Sequence, residues 1–159
     1  MKKDVYLKIK SKQYNYNVVP EMKTLVQEVA DEESVEIFTE GVLYAKPEAK
    51  YITYEKSEQA GLEDVRTVLK VQDGSVRIRT YSKKDNEVAN DIILQEGIVN
   101  ATRYKVSMGA SFSFEVYTNK IENNIGEDGY GTLSLDFDIQ FDDAFTRRNI
   151  LKIEVQALQ

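Results

Sequence analysis

The sequence predicts an all-β protein: a single antiparallel barrel of about ten strands, with one short helix near the N-terminus. Three observations carry this. Apolar side chains recur at every second position, most regularly at Leu133, Leu135, Phe137, Ile139 and Phe141, with Ser134, Asp136, Asp138 and Gln140 between them. Side chains alternate faces along a strand, so such a run has one dry face and one wet face. Turn residues punctuate these runs at near-regular spacing, as in an up-and-down barrel or a sandwich. The 159 residues show no internal repeat and no shift of composition, which predicts one domain.

The elements follow in order. Val5, Leu7 and Ile9 alternate with Tyr6, Lys8 and Lys10, a first strand. Between Pro20 and Ala30, Met22, Leu25, Val26 and Val29 adopt i, i+3, i+4, i+7 spacing, which predicts a short amphipathic helix with Pro20 in its first turn. Strands are expected over 35–44 and 51–56, the second followed by the loop 57–64. Asp73-Gly74 is a strong two-residue hairpin signal, because both positions tolerate positive φ. It sets Gln72 opposite Ser75, Val71 opposite Val76, Leu69 opposite Ile78 and Thr67 opposite Thr80. One face is then apolar on both strands, which supports the register independently.

A short apolar strand is expected at Ile92–Leu94. A second hairpin would pair Thr102, Tyr104 and Val106 with Val116, Phe114 and Phe112 about Met108-Gly109-Ala110. A weaker strand near 121–125 and a turn at 127–131 follow. Two long strands, 132–141 and 150–157, close the chain.

Composition bounds the function. Apolar residues make up 42% and charged residues 30%, which fits a globular chain. The net charge of −6 opposes nucleic acid and anionic membranes as partners. There is no His, no Cys and no Trp. Disulfides, thiolate catalysis and a His-dependent triad are therefore excluded, and no metal or cofactor is expected. Any bound ion would be hard and oxygen-ligated. The charged start Met1-Lys2-Lys3-Asp4 lacks the apolar run of a signal peptide, and no stretch approaches the roughly 18 apolar residues of a membrane span. A cytoplasmic protein is the expectation.

Several segments together resemble one family. They are Phe38-Thr39-Glu40-Gly41 with Tyr44, Tyr51-Ile52-Thr53-Tyr54-Glu55, Val65 to Val71, Tyr104 to Gly109, Thr118, the 131–138 strand and Asn149 to Ile153. In this order and spacing the chain resembles the bacterial YwiB-like family, a domain of unknown function assigned to the calycin-like (lipocalin-like) β-barrels. The resemblance implies a closed calycin-like barrel and no established activity. Two connections, about 14–33 and 83–90, look longer than the family pattern.

Three constellations are candidates for chemistry. Glu55 and Glu58, with Glu63 and Asp64, form an acidic cluster at a strand end and its loop. A carboxylate pair for acid–base work or a hard-cation site is the sharp reading, and a solvated loop the ordinary one. Asp136, Asp138, Asp142 and Asp143 form a second acidic stripe, read as a wet strand face. The Asp73-Gly74 register gathers Arg66, Lys70, Arg77 and Arg79 on one sheet face of a net-acidic protein. They are candidate ligand- or anion-binding residues, or cations that discourage edge aggregation. Two functions follow. The first is a non-enzymatic barrel that binds a small, largely apolar ligand. The second is an interaction module whose cationic outer face meets an anionic partner.

Overall fold

The computed structural model describes residues 2–21, 24–55, 65–82, 88–105, 111–140 and 145–158. They form the strands β1 (Lys2–Glu21), β2 (Thr24–Ala45), β3 (Lys50–Glu55), β4 (Val65–Gln72), β5 (Ser75–Ser82), β6 (Val88–Leu94), β7 (Val99–Lys105), β8 (Ser111–Ile125), β9 (Gly131–Gln140) and β10 (Phe145–Ala157). The strands follow one another around the sheet in chain order, and β10 returns to pair with β1. All ladders are antiparallel, so the sheet closes into an up-and-down barrel. No helix among the described residues is long and apolar enough to cross a membrane.

Alternation builds the core. In β4, Thr67, Leu69 and Val71 are buried, and in β9 Leu133, Leu135 and Phe137 are buried. The β4–β5 hairpin adopts the expected register from Gln72↔Ser75 to Arg66↔Tyr81. Its Gly74 has φ 78°, as that turn requires. Ile78, Ile139 and Leu151 face the core but stay half-buried. Of the outward positions, Lys152 is exposed, while Arg77, Arg79, Ser134, Asp136, Asp138 and Glu154 are half-buried. On this wall Arg77 and Arg79 lie over Asp91, and Arg148 lies over Asp136.

Three expectations are corrected. Among the described residues the short N-terminal helix expected at Pro20–Ala30 is absent. β1 runs to Glu21 and β2 begins at Thr24, paired from Glu21↔Thr24 to Tyr16↔Val29. Helical spacing over one short window loses here to a ladder extending the barrel's longest hairpin, and β-branched Val18, Val19, Val26 and Val29 favour it. The second hairpin pairs Thr102↔Phe114 and Tyr104↔Phe112, two residues out of the expected register. An even shift keeps the same side chains inward, so alternation could not detect it. The strands expected at 112–116 and 121–125 are one strand, β8, with a bulge between Thr118 and Lys120.

The two barrel ends differ. One carries the connections β2–β3, β4–β5, β6–β7 and β8–β9, all among the described residues. The β8–β9 turn folds across it, held by Gly126 N–H to Tyr130 O at 2.8 Å and Gly129 N–H to Gly126 O at 2.9 Å. Lys3 Nζ donates to Asp128 O and lies 3.8 Å from the Tyr130 ring, and Lys50 Nζ donates to Gly126 O at 2.7 Å. Gly129 has φ 89°, and a Cβ there would fall 2.0 Å from Leu43 Cδ2. The turn therefore seals this end against the core. The opposite end is bounded by the β1–β2, β3–β4, β5–β6, β7–β8 and β9–β10 connections, whose residues 22–23, 56–64, 83–87, 106–110 and 141–144 lie outside the described set.

Candidate functional site

The barrel interior changes character two residues from the end of β3. Along β3 to β6 the inward rows stack in register. Val71, Val76 and Leu94 form one row nearest the sealed end. Ile52, Leu69, Ile78 and Ile92 form the next. Tyr54, Thr67, Thr80 and Asn90 form the third, toward the other end. The first two rows are wholly apolar, and Ile52, Leu69, Val76 and Leu94 are all 0% exposed. A side chain with no accessible surface borders no space wide enough for water, so the polar row stands on an apolar floor that is dry at these four residues, while Ile78 in the second row keeps some accessible surface.

Each member of the row is uncharged. Tyr54 is buried, and burial pushes its hydroxyl up to about pKa 12. It stays protonated and keeps its O–H to donate. The hydroxyl comes close enough to Thr67 to offset part of that shift. The approach lacks hydrogen-bond geometry, and Thr67 Oγ1 has no partner among the described residues although Thr67 is only 2% exposed. Asn90 Oδ1 is buried and unpartnered in the same way. Thr80, between them, is half-buried. A bulge between Thr80 and Tyr81 shifts the β5–β6 register beside the row. Bulges re-aim side chains and concentrate near sites of function. Leaving a buried polar atom unsatisfied costs about 1–3 kcal/mol, so two in one row are a substantial local penalty.

The cations expected on the outer face are there, and their partners differ. Arg77 donates through Nε at 2.9 Å and Nη2 at 2.7 Å to the two oxygens of Asp91. Arg79 Nε shares Asp91 Oδ2 at 3.3 Å. The hydrogen bonds from Arg77 hold the Asp91 carboxyl below the usual carboxylate range. Arg66 places its guanidinium carbon 5.0 Å from the Tyr81 ring centre, and its neighbour across the ladder is Glu55. Lys70 Nζ lies 5.8 Å from the Tyr51 ring.

Of the acidic candidates, Glu55 is exposed at the end of β3, while Glu58, Glu63 and Asp64 lie outside the described residues. In the second stripe Arg148 takes Asp136 in two hydrogen bonds, 3.1 and 2.7 Å, which lowers that carboxyl. Burial raises the neighbouring Asp138. Asp142 and Asp143 lie outside the described residues. Among the described residues no group of three or more acidic side chains is placed to hold a metal.

Sequence reading missed Tyr54 and Asn90 as site residues. Its one available signal was the Thr67–Thr80 pair, polar in an otherwise apolar hairpin face.

Comparison with known proteins agrees with this architecture and assigns no chemistry to it. The chain is 26% identical over 123 residues to the uncharacterized beta-barrel protein YwiB of Bacillus subtilis (strain 168), covering 77% of this chain and 80% of that one. The crystal structure of the ywiB protein from Bacillus subtilis superposes with a TM-score of 0.64 at 19% identity, covering 95% of this chain and 92% of that one, a likeness of fold. Residues 21–153 match the family described as Domain of unknown function (DUF1934), and the chain belongs to that family.

Proposed function

We propose that this protein is a non-catalytic binding barrel for a small, largely apolar molecule, held at the end opposite the sealed turn. One observation carries the reading: a row of uncharged polar side chains lies across the interior, directly above an apolar floor. Binding sites join an apolar lining to a few placed polar groups. Ile37, Ile78, Ile139 and Leu151 are apolar, only partly buried, and packed against the core. They offer surface to the ligand's apolar part, and the fully buried floor residues limit how deep it reaches. Native mass spectrometry of protein purified without added ligand tests the reading. A reproducible extra mass, released on denaturation, is expected. Clean apo protein across several preparations overturns it.

The outer face supports a second reading, contact with an anionic partner through Arg66, Lys70, Arg77 and Arg79. Lys70, whose contact is an aromatic ring, favours it; Asp91, which already holds Arg77 and Arg79, opposes it. Binding of this kind weakens with salt, because exposed charges are screened over about 10 Å at 0.1 M ionic strength.

A further inference from the structure

We propose, building on the binding reading above, that the interior row selects an uncharged ligand that donates hydrogen bonds, such as an amide or an alcohol, and discriminates against carboxylates and phosphates. Asn90 Oδ1, without a partner among the described residues, sets the requirement; the Thr67 hydroxyl, likewise without one, can donate or accept. A carbonyl-type oxygen such as Asn90 Oδ1 only accepts, so its complement is an N–H or O–H. A ligand carboxylate brings further acceptors and no donor. It could accept from the hydroxyls of Tyr54, Thr67 and Thr80, but it brings no donor for Asn90 Oδ1 and no cation of β3 to β6 faces it.

The cations of these strands do not help an anion. Arg66 and Arg79 adjoin Thr67 and Thr80 in sequence, yet alternation puts them on the outer wall, where Arg79 is engaged by Asp91. Arg147, which the Ile139↔Arg147 pair sets on the inward face of β10, is not free. Taking an anion out of water without a partner costs far more than taking an amide or a hydroxyl that is then hydrogen-bonded. Tyr54 and Thr80 complete the recognition. The Tyr54 O–H is protonated at physiological pH and serves a ligand carbonyl. Thr80, between the two unpartnered oxygens, both donates and accepts. The row is thus a ledge for one neutral polar head.

The test titrates the full chain with octanamide and with octanoate at pH 7, followed by backbone amide NMR. Thr67, Thr80 and Asn90 are the reporters. Octanamide should shift these signals with an affinity about tenfold or more above that of octanoate, the worth of a satisfied buried hydrogen bond. Asn90→Leu removes the acceptor and keeps the approximate shape. It should weaken octanamide about tenfold and leave octanoate unchanged, with the remaining spectrum intact. Asn90→Ala serves the same purpose if Asn90→Leu perturbs the fold. Tighter binding of octanoate, or equal loss of both probes in the variant, overturns the selectivity and leaves the binding reading standing. Failure of both probes to bind overturns this inference, and the binding reading then rests on the mass spectrum alone.

Discussion

Two buried threonines separate the two ends of the barrel. Thr118 is 0% exposed, and its hydroxyl accepts from Gln95 N–H at 3.1 Å. The same residue's carbonyl accepts from Gly97 N–H at 2.9 Å, so the β6–β7 turn is docked onto the β8 bulge. Thr67 is 2% exposed, and its hydroxyl has no partner among the described residues. Residue type and burial are alike; only satisfaction differs. Near the sealed end, polar groups tie turns to strands, and Lys3 and Lys50 serve the carbonyls of the covering turn. Toward the other end, Thr67 Oγ1 and Asn90 Oδ1 face inward without a partner among the described residues. Stability is concentrated in one part of the interior, and recognition chemistry in the other.

The largest effect expected from this difference comes from the packed end. Leu43 is 0% exposed and touches the covering turn at Gly129. Leu43→Ala should cost about 2–5 kcal/mol. Ile37, on the same strand but nearer the other end, is only partly buried, and Ile37→Ala should cost less than about 2 kcal/mol. Urea denaturation measures both, and equal losses would erase the contrast.

The threonine pair gives the next largest effect, with opposite signs. Thr118→Val strands the Gln95 N–H and should destabilise by about 1–3 kcal/mol. Thr67→Val removes an unserved oxygen from a buried strand position and should stabilise by about 1 kcal/mol. Denaturation midpoints that fall for both variants would show that Thr67 is satisfied in the free protein.

The smallest effects lie on the outer wall, away from either interior end, and act as a control. Asp91 and Asp136 are both held below the usual carboxylate range, chiefly by hydrogen bonds from Arg77 and Arg148. In the window below about pH 4 the unfolded chain binds the more protons, so stability rises with pH there. The contribution is complete above the unfolded value and is lost as pH falls through the folded ones. The Arg77 and Arg148 side chains keep 36% and 41% of their surface in solvent, so screening holds each pair to at most about 1 kcal/mol. Asp136→Asn should flatten the acid limb of the stability–pH curve and leave the ligand selectivity unmoved. Asp138, raised by burial, has the opposite sign, and Asp138→Asn should stabilise slightly at neutral pH. Melting curves between pH 3 and 7 resolve both.

The barrel wall was legible from local pattern, because alternation needs only one strand and the Asp73-Gly74 turn pins its neighbour. The β4–β5 ladder follows from those residues alone. The helix expected at Pro20–Ala30 failed because four apolar positions at helical spacing carry no information about pairing, and Leu25, Val26 and Val29 lie opposite Pro20, Val19 and Tyr16 of β1. The polar row was illegible for the same reason. Tyr54 looks like any sheet aromatic, and Asn90 falls in what reads as a polar connection. Their meeting depends on three ladders at once.

The closure of the sheet has one slender joint. Among the described residues β6 and β7 share a single ladder position, Asn90↔Tyr104, beside a side-chain tie from Asn100 Nδ2 to Ile93 O at 3.1 Å. The neighbouring β5–β6 and β7–β8 ladders are several positions longer. A ring opens where it is least laced, and amide hydrogens there exchange through the cheapest partial unfolding. Asn90 belongs to that joint as well as to the polar row. A guest that engages its side chain acts as a clasp on the ring, and its presence should be read as slowed exchange along β6 and β7 before it is read anywhere else.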